Sequence, residues 1–100
     1  MELKRVVVTG LGAITPIGNT VSEFWNALCK GVNGAGPVTR FDSSKFKTRI
    51  ACEVKNFDPL QFFDRKEARK LDLYTQFAIV AAEEAIQDSK ITKDNTDFDE

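Results

Sequence analysis

The two cysteines, Cys29 and Cys52, are the only thiols that could act as nucleophiles in this 100-residue chain, which has no histidine. A nucleophile that needs an imidazole partner therefore cannot be completed within these residues. Cys29 lies on the same apolar helical stripe as Val21, eight residues earlier. Cys52 alternates with Ile50 and Val54 as in a half-buried strand. We expect both thiols to pack in a core, and their spacing is not that of a metal site.

A glycine-rich turn follows three consecutive valines in the segment RVVVTGLGAITPIG, residues 5 to 18. Val6 to Val8 predict a short strand buried in a sheet, and such strand ends are common ligand sites. A dinucleotide-binding G-x-G-x-x-G motif would require a third glycine where Thr15 stands. The alternative T-G-x-x-x-G-x-G pattern would require glycine at Ile14 and Pro16. A nicotinamide-dependent reductase is therefore excluded by spacing.

The most charged stretch of the chain is DRKEARK, residues 64 to 70. Asp64 and Glu67 have the spacing of a helix N-cap and its partner, so we expect a helix to begin here. Four basic residues would then share one arc of about 140° on that helix, and we call them the basic face: Arg65, Lys66, Arg69 and Lys70. Two interpretations of the basic face are open from the residues alone, a solvated helix surface or a docking patch for an acidic partner.

Three further helical elements are predicted around these residues. Thr20 and Glu23 form a capping box for a first helix that would end before Gly31. Its apolar stripe consists of Val21, Phe24, Trp25, Leu28 and Val32. Asp58 and Pro59 start a short helical piece. The longest helix is expected from Asp72 to Lys90 and is apolar on more than one side, so it requires more than one neighbour.

The composition is that of a globular protein, with 42% hydrophobic and 29% charged residues. A net charge of −1 indicates no overall attraction to nucleic acid or to an anionic membrane. The apolar run behind Lys4 and Arg5 is too short for a signal peptide or a membrane span. We therefore expect a cytoplasmic protein with no nucleic-acid partner and no membrane insertion.

Several segments, in the same order and spacing, resemble the N-terminal region of the β-ketoacyl-acyl carrier protein synthases, most of all the branch known as synthase II. The segments are VVVTGLGAITPIGN, EFWNAL, RFDSSKF, TRIACEV with FDP, and DRKEARKLDLYTQFA. The resemblance implies an α/β protein of the thiolase-like fold, with α/β/α/β/α layers in the full enzyme. Residues 1–100 would be part of the N-terminal half, with the C-terminal half absent.

The resemblance also implies a function and partners. Such enzymes are homodimers that extend acyl chains by decarboxylative Claisen condensation with malonyl-acyl carrier protein, and they need no metal or other cofactor. Their catalytic cysteine and two histidines would lie beyond residue 100, so no catalytic residue is expected here. The positions that match the family's carrier-protein-binding stretch are Lys66, Arg69 and Lys70. Two alternatives stay open, a non-catalytic synthase homologue and a small protein-interaction domain that uses the basic face.

Overall fold

The computed structural model describes residues 2–97. In chain order the elements are α1 (Val21–Cys29), β1 (Gly36–Pro37), β2 (Ile50–Ala51), a 3₁₀ turn (Pro59–Gln61), α2 (Arg65–Lys70) and α3 (Leu73–Ser89). The predicted succession of helices is confirmed. The strands differ from the prediction in both position and length.

The valine segment at the start of the chain is not a strand, which corrects the expectation from its sequence. Val6 is 89% exposed and Val8 is 80% exposed. The sheet of the described residues has two strands, β1 and β2, and neither pairs with this segment. A strand acquires regular structure only when a neighbour accepts and donates its backbone hydrogen bonds. The turn that follows does form, because Thr15 N donates to Gly18 O at 2.8 Å.

Helix α1 begins and ends where its sequence predicts. Glu23 N donates to Thr20 Oγ1 at 3.1 Å, and the Glu23 carboxylate accepts from Asn19 N at 3.2 Å. At the other end Gly31 has φ +70, a left-handed conformation that glycine adopts without steric cost. Val32 N then donates to Ala27 O at 3.0 Å, which completes a Schellman motif.

The sheet is a short antiparallel pair in which Gly36 faces Ala51 and Pro37 faces Ile50. The sequence predicts a longer strand over residues 48 to 54, and it predicts a loop where β1 lies. The predicted inward face is also wrong, because Ile50 is 65% exposed whereas Glu53 is half-buried. The Glu53 carboxylate accepts a hydrogen bond from Thr39 Oγ1 at 2.8 Å, and over residues 50 to 53 the observed alternation is shifted by one residue from the predicted one.

Helices α2 and α3 follow one another with a two-residue break. Asp58 caps the preceding 3₁₀ turn by accepting from Leu60 N at 3.0 Å. Asp64 caps α2 by accepting from Glu67 N at 2.8 Å. Helix α3 runs between Asp72 as N-cap and Lys90 as C-cap. The starts at Asp58 and Asp64 were predicted from these capping residues, and α3 was predicted over nearly the same range without a capping argument; the Asp72 side chain makes no capping hydrogen bond.

The apolar faces of the helices are largely uncovered among the described residues. Within residues 2–97 only Gln76 and Val80, both on α3, are buried. Tyr74 on α3 is 73% exposed, and Trp25 on α1 is 61% exposed. The radius of gyration is 17.7 Å, whereas a compact domain of this length has about 13 Å. The expectation that these elements cannot cover α3 is confirmed.

Candidate functional site

The basic face is presented by the short helix α2. All four of its cations are exposed. Arg69 and Lys70 lie in the last turn, where positive charge is favoured by the helix dipole. The sequence-predicted carrier-contact residues Lys66, Arg69 and Lys70 are therefore brought together on one solvent-facing helix, as their spacing predicts.

These cations have no internal counter-ion within residues 2–97. The ion pair found there joins Arg40 to Glu53 at 3.7 Å, on a different part of the chain. An exposed positive cluster that is not neutralised by its own protein attracts negatively charged partners and raises their encounter rate. The charge of the basic face is available to a binding partner.

Two sets of contacts hold α2 against the rest of the chain. Phe57 stacks on Phe62 with ring centroids 5.7 Å apart, and it meets Phe77 of α3 edge-on at 4.9 Å. The Gln76 side chain of α3 donates to Ala68 O at 2.9 Å and to Leu71 O at 3.2 Å. The partly buried Gln76 hydrogen bonds connect the basic helix to α3, and the aromatic contacts join the segment that precedes α2 to the same helix.

A cavity of about 410 Å³ opens beside Lys70. Its lining combines apolar side chains such as Phe63 and Ile79 with the carboxylates of Glu67 and Glu83. Two carboxylates in a pocket repel an anion, so acidic groups of a partner are expected at the exposed basic face and not inside this cavity.

The glycine-rich turn that follows the valines, called the glycine loop below, is hydrogen-bonded to α3. Leu11 N donates to Asp88 Oδ2 at 3.0 Å, and Ala13 N donates to Glu84 Oε1 at 2.9 Å. A Cβ atom on Gly12 would overlap the carbonyl oxygen of Ala81, so glycine is required for this close approach. Two of the amides that a phosphate cradle would use already have carboxylate partners, which agrees with the exclusion of a dinucleotide site.

A second cavity, of about 240 Å³, lies at the end of the glycine loop and is lined in part by Lys55. Lys55 Nζ donates to three backbone carbonyls, those of Pro16, Gly34 and Glu53, at 2.9 to 3.0 Å. An ammonium group has three donors, so this lysine is fully used in joining chain segments. It is not a phosphate-binding group.

The expected burial of the two cysteines is wrong. Cys29 and Cys52 are both free and exposed. The stripe of α1 is uncovered where Cys29 lies, and the reversed alternation after β2 turns Cys52 outward. Among the described residues no group of His, Cys, Asp and Glu side chains has the arrangement of a metal site, and no described helix is long and apolar enough to cross a membrane.

Comparison with known proteins decides the family. The model of the β-ketoacyl synthase N-terminal domain matches residues 3–100.

The chain belongs to the β-ketoacyl synthase family.

Curated members of the family extend well beyond this stretch. The chain is 53% identical over 100 residues to a protein of Synechocystis sp. named 3-oxoacyl-(acyl-carrier-protein) synthase 2, and the match covers all of the chain and 24% of that protein. A protein of the same name from Coxiella burnetii is 49% identical over 96 residues, covering 96% of the chain and 23% of that protein. The chain spans about a quarter of the length of these relatives.

Solved structures of β-ketoacyl synthases show the same fold, and the thiolase-like α/β class predicted from the resemblance is confirmed. The ishigamide ketosynthase/chain length factor superposes with a TM-score of 0.78 at 37% identity, covering 89% of this chain and 22% of that one. A type II PKS acyl-carrier protein in complex with its ketosynthase bound to the hexaketide gives a TM-score of 0.65 at 25% identity, covering 91% and 23%.

Sequence reasoning found the basic face and missed the side chains that join separate segments of the chain by hydrogen bonds. These are Gln76, Glu84 and Asp88 on α3, and Lys55 after β2. A signal was present for two of them, because Glu84 and Asp88 are four residues apart on α3 and therefore share one face of the helix. Nothing in the spacing of Gln76 distinguishes it from a surface glutamine.

Proposed function

We propose that this chain is the N-terminal part of a β-ketoacyl-acyl carrier protein synthase that lengthens acyl chains by two carbons. In that reaction the acyl group passes to a cysteine thiolate, malonyl-carrier protein releases carbon dioxide, and the resulting carbanion attacks the acyl thioester. The observation that carries the proposal is the family match over residues 3–100. It is supported by relatives named 3-oxoacyl-(acyl-carrier-protein) synthase 2, which are 53% and 49% identical in sequence to this chain.

The chemistry itself is assigned to residues outside this chain. The two histidines that the family uses have no counterpart here, because the chain contains no histidine. Cys29, at the end of α1, and Cys52, just after β2, are both exposed and match no nucleophile position. We expect no condensing activity from these 100 residues alone. Acyl transfer from a radiolabelled donor to the isolated chain, abolished by Cys29→Ala or Cys52→Ala, would contradict this assignment.

The contribution of this chain to the enzyme is a docking surface for acyl carrier protein. The proposal is supported by the exposure of Lys66, Arg69 and Lys70 on one helix and by their lack of ion pairs within residues 2–97. A solved relative in complex with an acyl-carrier protein supports the same kind of partner. Each exposed charge pair contributes on the order of 1 kcal/mol or less, and a cluster of such pairs steers encounter and orientation.

The test is charge reversal in the full-length enzyme. Replacing Lys66, Arg69 and Lys70 together by Glu turns three attractions into repulsions, so the KM for malonyl-acyl carrier protein should rise by about tenfold or more at low salt. The KM for malonyl-coenzyme A, which has no carrier protein, should change much less. The difference should shrink as salt is added, because surface charges are screened.

A matched control carries the same change in net charge elsewhere. Lys30, Lys45 and Lys47 are exposed and lie outside α2, and their replacement by Glu should leave the KM for the carrier substrate within about twofold, since exposed charges distant from an interface act only through the screened long-range field. An unchanged KM in the α2 variant at low salt, or an equal rise in the control, would refute the docking role.

The two alternatives have less support. An autonomous interaction domain would be expected to close a core, whereas only Gln76 and Val80 are buried among the described residues. A non-catalytic homologue is disfavoured by the synthase names of the curated relatives, and the presence or absence of the cysteine and two histidines in the full-length protein decides the matter. Homodimerisation and a cytoplasmic location belong to the same proposal.

A further inference from the structure

Gln76 is the most buried residue described in the chain, with 4% of its surface exposed. Glutamine is seldom buried to this degree, and a buried amide is costly unless its polar atoms have partners. The burial of a polar side chain at this position therefore requires a specific explanation.

The partners of Gln76 supply the explanation. Nε2 donates to Ala68 O at 2.9 Å and to Leu71 O at 3.2 Å. Ala68 lies within α2, and Leu71 is its C-cap, with ψ 131, where the backbone leaves the helix. The last carbonyls of a helix have no partner inside it. Gln76 therefore satisfies two carbonyls at the end of α2 from a neighbouring helix.

These two carbonyls flank, in sequence, the two basic residues in the last turn of α2. Arg69 and Lys70 are the two residues between Ala68 and Leu71. Hydrogen bonds at both ends of this four-residue stretch hold its backbone in place relative to α3. The opposite end of α2 is held by the Asp64 cap. The last turn of the basic helix thus depends on Gln76 for its position.

We propose that Gln76 is a positioning residue for the carrier-protein docking surface, acting by hydrogen bonds from its amide to the two backbone carbonyls that bracket Arg69 and Lys70. This inference rests on the proposed docking function of the basic face. It assigns specificity for the protein-bound substrate to a buried amide that the substrate does not touch.

Gln76→Met in the full-length enzyme tests the proposal. Methionine has a similar length and flexibility and lacks the amide donors. Oε1 of Gln76 has no hydrogen-bond partner within residues 2–97, so the substitution breaks only the two bonds to α2. We expect the KM for malonyl-acyl carrier protein to rise about fivefold, which equals about 1 kcal/mol, with a smaller change in kcat and in the KM for malonyl-coenzyme A.

The matched control is Gln87→Met. Gln87 lies on the same helix and is exposed, and the KM for the carrier substrate should be unaffected by this substitution. A double-mutant cycle gives the decisive measurement, since residues that act as one unit are non-additive. With Lys66, Arg69 and Lys70 already replaced by Glu, the added Gln76→Met substitution should leave the KM for the carrier substrate unchanged.

The outcomes separate this inference from the docking proposal. If the triple Glu variant has no effect, the docking proposal itself is wrong. If the triple variant raises the KM and Gln76→Met does not, or if the Gln76 effect persists in the triple background, only the positioning role is overturned. Gln76→Asn, whose shorter amide cannot reach both carbonyls, provides a second variant. Loss of folded enzyme in both Gln76 variants would assign a purely structural role and would also overturn it.

Discussion

Glu84 joins three segments of the chain, and its removal has a consequence that can be measured at single amides. One carboxylate oxygen accepts from Ala13 N at 2.9 Å, in the glycine loop, and the other accepts from Val21 N at 3.1 Å, in the first turn of α1. Both bonds are partly buried. Glu84→Ala leaves two backbone donors without their partner.

The expected cost follows from these two bonds. A hydrogen bond to a charged group contributes about 1.5 kcal/mol or more, so the loss of both should destabilise the loop and the start of α1 by about 3 kcal/mol. If the opening is local, the amides of Ala13 and Val21 should exchange with solvent about 100-fold faster. Glu84→Gln keeps one acceptor oxygen and should have an intermediate effect.

Native-state hydrogen exchange on the full-length protein measures this directly. Glu83→Ala is the matched control, because Glu83 precedes Glu84 on α3 and is exposed, and its carboxylate, unlike that of Glu84, does not bind Ala13 N or Val21 N. Both variants replace Glu by Ala within α3, so the change in intrinsic helix propensity is the same in each. If Ala13 and Val21 keep their protection in Glu84→Ala, or if Glu83→Ala exposes them equally, the assignment of Glu84 as the link between these segments is refuted.

Two further predictions concern the close packing of the glycine loop and the carboxylate after β2. Gly12→Ala should lower the free energy of unfolding by about 2 kcal/mol, because the added Cβ would overlap the carbonyl oxygen of Ala81. Gly36→Ala, where a Cβ meets no atom within 4 Å, should have little effect in the same thermal unfolding experiment. Thr39→Val should raise the pKa of Glu53, since the Thr39 hydroxyl is the main cause that holds this pKa below its ordinary value; a pH titration followed by NMR measures it.

The sign of the pH dependence at Glu53 follows from the lowered pKa. A carboxyl whose pKa falls on folding stabilises the protein above its unfolded pKa, about 4.3 for glutamate. That contribution is lost as the pH falls through the lowered folded value. The stability difference between the native protein and Thr39→Val should therefore shrink in acid. An unchanged Glu53 pKa in Thr39→Val would contradict the role of the Thr39 hydroxyl. An equal loss of unfolding free energy in Gly12→Ala and Gly36→Ala would contradict the close packing of Gly12 against Ala81.

Local features were predicted well because each depends on residues close together in the chain. The caps at Thr20, Asp58 and Asp64 form as expected, and Gly31 ends α1 in a left-handed conformation. A capping side chain meets amides two or three residues away, so nearly all of the information lies within one turn of helix. The basic face was found for the same reason, since its geometry requires only that α2 be a helix.

Features that depend on distant partners were predicted wrongly or missed. The valines of residues 6 to 8 are typical of a buried strand, yet among the described residues no strand pairs with them. The predicted alternation places Cys52 inward, whereas Cys52 is exposed and Glu53 is half-buried, with its carboxylate bonded to Thr39. The roles of Gln76 and Glu84 were missed, and their partners lie 8 and 71 residues away for the bonds to Ala68 and Ala13.

The sequence by itself determined the helices, their caps, the family resemblance, and the cluster of Lys66, Arg69 and Lys70. Tertiary structure alone decided which side chains hold that cluster in place and which backbone amides remain available. The physical reason is one of range. Capping and helical periodicity arise within a few residues, whereas a buried amide or carboxylate takes its role from whichever unpaired backbone groups folding brings against it.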